Sequence, residues 1–184
     1  MRKLTFVLAM AVIGAACSQS PTSPEFAVPL TVNAVKTGEP LSSTHLKGEH
    51  EVPARETQAQ GQAIMKVAED GQSISFKLIA SNIENVIAAH IHIGSATVAG
   101  PVVVFLYGTV PSGAGRHDGI LSEGTFTAAD FSGPLAGQPF SALLAAMAAG
   151  NTYVNVHTND GVAPTNTGPG DFPGGEVRGQ IIRK

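Results

Sequence analysis

Apolar and polar residues alternate with period two along most of the chain after residue 45. That is the pattern of strands with one face buried. In residues 60–69, Ala63, Met65 and Val67 would face inward and Lys66 outward. In residues 72–81, Ile74, Phe76, Leu78 and Ala80 would face inward, with Ser73, Ser75 and Lys77 out. Between them, Asp70-Gly71 predicts a type I′ hairpin turn, because that turn needs positive φ at its centre. Further strands are predicted at 46–52 (ended by Pro53), 86–93, 101–107, 121–126, 151–158 and 175–182. Polar, glycine-rich loops are expected at 94–100, at 108–119 with His117, and at 159–174. Thr127-Ala128-Ala129-Asp130 has the spacing of a capping box, with Asp in place of Glu, and predicts one helical turn. Residues 139–149 predict a helix, with Pro139 at its first position and Gly150 just past its end. Leu143, Leu144 and Met147 give that helix an apolar side, suited to closing one end of the β-structure. These elements predict an all-β, antiparallel domain with one short helix.

Composition narrows the picture. Hydrophobic residues make up 43% and charged residues 14%, so the chain can build an ordered core. The formal charge is −3, and no run of basic residues exceeds a pair. Nucleic-acid binding is excluded as a reading, because phosphate contacts need clustered Lys and Arg.

The first residues suggest export. Met1-Arg2-Lys3 is followed by an apolar stretch at 4–16, shorter than the roughly 20 residues a membrane-spanning helix needs. Residues 1–16 therefore read as a secretory signal peptide. Ile13-Gly14-Ala15-Ala16-Cys17 resembles a bacterial lipobox, although Gly14 stands where such motifs more often have Leu. The resemblance implies that Cys17 becomes the mature N-terminus, carries a lipid and anchors the protein in the cell envelope. The alternative is a plain signal peptide that happens to include Cys17. Cys17 is the single cysteine, so an exported chain has no internal disulfide to form. The Ser/Pro/Thr-rich residues from 17 to 43 suit an extended tether, with the folded domain at 44–184. Residues 26–32 could add an edge strand, which the nearby prolines would leave loosely packed.

The candidate chemistry lies in Ala89-His90-Ile91-His92-Ile93-Gly94. Ile91 and Ile93 would face the core. His90 and His92 would then share the other face, roughly 7 Å apart at about 3.3 Å of rise per residue. Tyr153-Val154-Asn155-Val156-His157 repeats the arrangement, with His157 opposite Val154 and Val156. If the strands meet, His90, His92 and His157 form a three-imidazole set suited to copper or zinc. Water, His117 or Glu176 would complete it. Pairing of 151–158 with 175–182 would put Glu176 beside His157, and Arg178 is expected to pair with Glu176 or Glu51. Those four residues, Glu51, His117, Glu176 and Arg178, serve equally as outer partners of a metal or as a polar cluster that orients loops. No Gly-x-Ser-x-Gly elbow or phosphate-binding glycine loop is present, so no catalytic residue is assigned. Asp160, Asp171 and Glu176 do not have the spacing of a calcium loop.

Several segments together resemble the CHRD domain. They are Gly48-Glu49-His50-Glu51-Val52-Pro53, Ala89-His90-Ile91-His92-Ile93-Gly94, Gly100-Pro101-Val102-Val103, the run from Ala149 through Tyr153 and His157 to Thr158, and Gly175-Glu176-Val177-Arg178-Gly179-Gln180-Ile181. The resemblance implies a β-sandwich, immunoglobulin-like or Cu/Zn superoxide dismutase-like, and settles no activity. The His-x-His strand with a later strand histidine is also similar to Cu/Zn superoxide dismutase. A bridging histidine with a zinc loop and a disulfide are both missing, however. Two readings follow. One is a non-catalytic binding or structural module, held at the membrane by its N-terminal lipid and presenting loops to a protein or glycan. The other is a mononuclear copper or zinc protein.

Overall fold

The computed structural model describes residues 40–182. The predicted signal peptide, Cys17 and most of the predicted tether lie outside the described residues. Eight strands account for most of the regular structure: β1 (Pro40–Lys47), β2 (Gln60–Val67), β3 (Ser73–Glu84), β4 (Val86–Ile93), β5 (Val102–Tyr107), β6 (Arg116–Thr127), β7 (Thr152–Thr158) and β8 (Val177–Gln180). One helix, α1 (Phe140–Ala148), precedes β7.

The strands form a single sheet in the order β5-β4-β7-β8-β1-β2-β3-β6, and every neighbouring pair is antiparallel. Leu46, Met65, Leu78, Ile91, Val104, Phe126, Val154 and Val177, one from each strand, belong to one buried cluster. A flat sheet could not bring all eight strands to one core. The sheet instead folds back on itself, and Ser122 Oγ on β6 donates to Leu106 O on β5 at 2.6 Å across its two ends. The all-β, sandwich-like expectation is met by this near-closed sheet.

The inward residues of β2 and β3 are those the alternation predicts. Ala63, Met65, Val67, Ile74, Leu78 and Ala80 are all buried. Phe76 is half-buried, tilted against Phe126 with ring centroids 6.2 Å apart. The hairpin turn differs from the expected type I′ form. Gly71 has φ +67 but Asp70 is not left-handed, and the turn closes through Gly71 N to Ala68 O and Ala68 N to Ser73 O, both at 3.0 Å. The Asp70 carboxylate accepts from Gln72 N at 2.9 Å instead.

Two strands begin earlier than expected. β1 starts at Pro40, ahead of the predicted residues 46–52, and Gly48–His50 is a 3-10 turn. The turn is tight at its glycine. A Cβ on Gly48 would collide with Arg55 O, and Gly48 O accepts from both Glu51 N and Arg55 N. β6 starts at Arg116, so His117 is on a strand and not in a loop. Its first residues pair with the end of β3 and are polar because the edge of the sheet is exposed there.

The capping box forms as predicted: Ala129 N donates to Thr127 Oγ1 at 3.2 Å, and Thr127 N to Asp130 Oδ2 at 2.8 Å. In α1, Pro139 is the N-cap and not the first helical residue. Leu143 and Met147 are buried, and so is Phe140, which stacks on Phe131 at 5.5 Å. Gly150 has φ +69, the left-handed conformation that ends a helix.

Candidate metal centre

β7 lies between β4 and β8, which determines what its side chains meet. His90 is opposite Asn155, His92 opposite Tyr153, and Ala88 opposite His157. On the other side Tyr153 pairs with Gln180 and Asn155 with Arg178. Ile91, Val154 and Val156 enter the hydrophobic cluster, so the histidines point to the opposite face. That face is covered, contrary to a half-buried strand: His90, His92 and His157 are only 9%, 7% and 8% exposed.

Two loops supply the cover. Residues 94–100 are tied down by Gln180 Nε2 to Gly94 O (2.8 Å) and by Arg178 to Ser95 O (2.7 Å) and Val98 O (3.1 Å). Gly100 N donates to the Tyr153 hydroxyl at 2.9 Å. Gly100 is required here, because a Cβ would overlap Ile93 O. The held loop presents Gly100 O to His92 Nδ1 at 2.8 Å. The second loop, ahead of β8, presents Pro173 O to His157 Nδ1, also at 2.8 Å.

These two bonds determine the tautomers. A carbonyl only accepts, so Nδ1 carries the proton in His92 and His157, and their Nε2 atoms carry lone pairs. His90 Nδ1 lies 3.0 Å from His157 Nε2 and donates to it. Nε2 of His90 and Nε2 of His92 are buried without a partner. One nitrogen from each ring falls within 4.8 Å of the other two, and among the described residues no carboxylate or thiol joins them.

The aromatic surroundings are close. Phe105 and His90 meet nearly perpendicular, with centroids 4.6 Å apart. Tyr153 stacks on His92 at 4.8 Å, and the Arg178 guanidinium lies 3.4 Å over the Tyr153 ring. Burial, with His157 and His92 nearby, pushes the His90 ring down to about 4. Burial also takes His157 to about 4, against the opposing bond to Pro173, and lowers His92. All three rings are neutral at neutral pH.

The expected outer partners are arranged differently. Arg178 pairs with neither Glu176 nor Glu51; besides the loop carbonyls it donates to Gln180 Oε1 at 3.3 Å. Glu176 sits on a bend before β8 starts, so the alternation of 176, 178 and 180 fails at its first member. Its carboxylate accepts from Thr57 Oγ1 (2.6 Å), Thr158 Oγ1 (2.6 Å) and Gly170 N (2.9 Å), which anchors the second loop rather than reaching His157. His117 is on β6, at the far end of the strand order, and does not join the trio. Glu51 is 7% exposed, and burial pushes its carboxyl up to about 7 despite Arg178 and Arg55. Its carboxylate and the Asn155 amide lie against Gly175, whose φ of +123 favours glycine.

Sequence reasoning missed Phe105 and the carbonyl of Pro173 as parts of the site, and placed Asn155 on the correct face. Tyr153 was placed on the correct face without its stacking role.

The fold and the site together define a class: a small antiparallel β-domain whose central strands gather three imidazoles beneath the domain's own loops. Residues 42–181 match the CHRD domain, and the chain belongs to that family. No curated protein and no solved structure matches it.

Proposed function

We propose that this CHRD domain binds one transition-metal ion through His90, His92 and His157. The observation that carries the reading is the pair of bonds from His92 Nδ1 to Gly100 O and from His157 Nδ1 to Pro173 O. Metal-bound histidines characteristically donate the other ring N–H to a carbonyl, which aims the free lone pair. The residues also fit an ion chemically. Ligating imidazoles must be neutral, and burial keeps these neutral. A purely structural polar cluster would pair its buried nitrogens, whereas two here have no partner.

The test is a titration of the metal-free chain with copper and zinc, read by calorimetry and metal analysis. One equivalent should bind, and His92→Ala and His157→Ala should each lower the affinity at least 10-fold. Absence of saturable binding would leave only the polar cluster. The N-terminal sequence supports a setting for this chemistry, a lipid on Cys17 holding the domain in the cell envelope. Cys17→Ser should then release the protein from membranes; a wild type found wholly in the soluble fraction would overturn the anchor.

A second reading, a module that binds an organic or protein partner, is favoured by a separate feature. A cavity of about 870 Å³ is lined by Glu49, His50, Val52, Pro53, Thr97 and Arg178, among others, and by none of the three histidines. Its size is that of a ligand site.

A further inference from the structure

We infer that the ion this centre is built to hold is cuprous copper, Cu(I), in preference to Cu(II) or Zn(II). The inference rests on the metal-binding reading above and concerns the charge the site tolerates.

Three neutral imidazoles contribute no negative charge. Among the described residues no carboxylate or thiol offers an atom to the group. Glu176 is engaged by three donors elsewhere. A bound ion would therefore keep its whole charge in a site whose rings are more than nine-tenths buried. The cost of taking an ion out of water grows with the square of its charge, so a divalent ion loses about four times what a monovalent one loses. The Arg178 guanidinium, held over Tyr153 by its bonds to Ser95 O and Val98 O, adds a fixed positive charge beside His92. Its repulsion is twice as large for a divalent ion.

Coordination number points the same way. Zn(II) sites take a fourth ligand, and Cu(II) prefers a tetragonal set. Phe105 lies perpendicular to His90, Tyr153 stacks on His92, and the Tyr153 hydroxyl is turned to Gly100. Neither ring offers a fourth donor, so Zn(II) or Cu(II) would have to complete its set from water or from the unpartnered Asn155 Oδ1. Cu(I), with a filled d shell, accepts three nitrogens without one.

The experiment titrates the metal-free full chain with Cu(I) without oxygen, in competition with a chromophoric Cu(I) chelator. Cu(II) and Zn(II) are titrated separately, by calorimetry. Cu(I) should bind at one equivalent with a dissociation constant at least 100-fold below those of the other two. Binding of Cu(II) or Zn(II) as tight as that of Cu(I) would overturn the inference and leave the metal site standing. No saturable binding of any of the three would remove the metal-binding reading together with it. His90→Asp supplies a further readout, since an anionic ligand should shift the ratio of Zn(II) to Cu(I) affinity toward zinc by at least 10-fold. An unchanged ratio would contradict the charge argument.

Discussion

Two kinds of buried titratable side chain pull the pH dependence of this domain in opposite directions. His90 and His157 are held near 4, below the ordinary 6.5, so the fold refuses protons that the unfolded chain accepts. Their contribution to stability is complete above about pH 6.5 and is lost as the pH falls toward 4. Glu51 is held near 7, above the ordinary 4.5, so the fold keeps a proton that the unfolded chain has released. Its contribution is complete below pH 4.5 and is lost as the pH rises through 7. Glu51→Gln mimics the protonated carboxyl. In the metal-free protein it should therefore stabilise on the order of 2 kcal/mol at pH 8 and make little difference at pH 4.5. The remaining profile should rise steadily between pH 4 and 6.5. Thermal unfolding across that range checks it, and a variant no more stable at pH 8 than wild type would mean that Glu51 ionises freely. At this scale the sequence was partly legible. Alternation put His90 and His92 on the outward face of one strand and His157 on the outward face of another, because side-chain direction in a strand is a period-two property. It could not name Gly100 O and Pro173 O as their partners, since a loop carbonyl points where the loop's own anchors turn it.

Among the elements, the loop at 94–100 carries most of the positioning. Four side chains, Tyr153, Arg178, Gln180 and His92, bond to it, and Gly100 lets it pass against Ile93 O. Gly100→Ala should cost about 2 kcal/mol or more in stability, because the colliding atom is backbone and cannot rotate away. It should also weaken metal binding several-fold by moving the acceptor of His92 Nδ1. Denaturant unfolding and the same metal titration measure the two effects, and a variant matching wild type in both would show that the loop tolerates displacement. Where strands bury a face, as in β2 and β3, the pattern located them to within a few residues. Where a strand runs along the exposed edge, as at the start of β6, Arg116-His117-Asp118-Gly119 carries no apolar alternation and read as a loop. Gly48-Glu49-His50-Glu51 falls within the strand predicted at 46–52. Two hydrogen bonds to Gly48 O close it into a turn instead.

For the molecule as a whole, the long-range pairings of β1 with β8, β8 with β7 and β7 with β4 assemble the site. They join residue 47 to residue 178 and residue 92 to residue 153. The sheet then closes on itself through the bond from Ser122 to Leu106 O. Ser122→Ala should lower global stability by about 1 kcal/mol, the usual worth of one such bond, while leaving the metal stoichiometry unchanged. Urea unfolding would show this as a lower midpoint at constant slope, and no change would mean that apolar packing alone closes the sheet.

The order of residues was enough to establish an all-β domain, its buried strands, its helix near 140–148 and the outward-facing histidines of two separate strands. All of these follow from local periodicity and turn chemistry. Folding alone joined those faces into a covered polar chamber, freed Arg178 from the expected carboxylates and sent Glu176 to anchor a loop. Those outcomes depend on which strands become neighbours and where a bend falls, and neither is encoded within any short window of the chain.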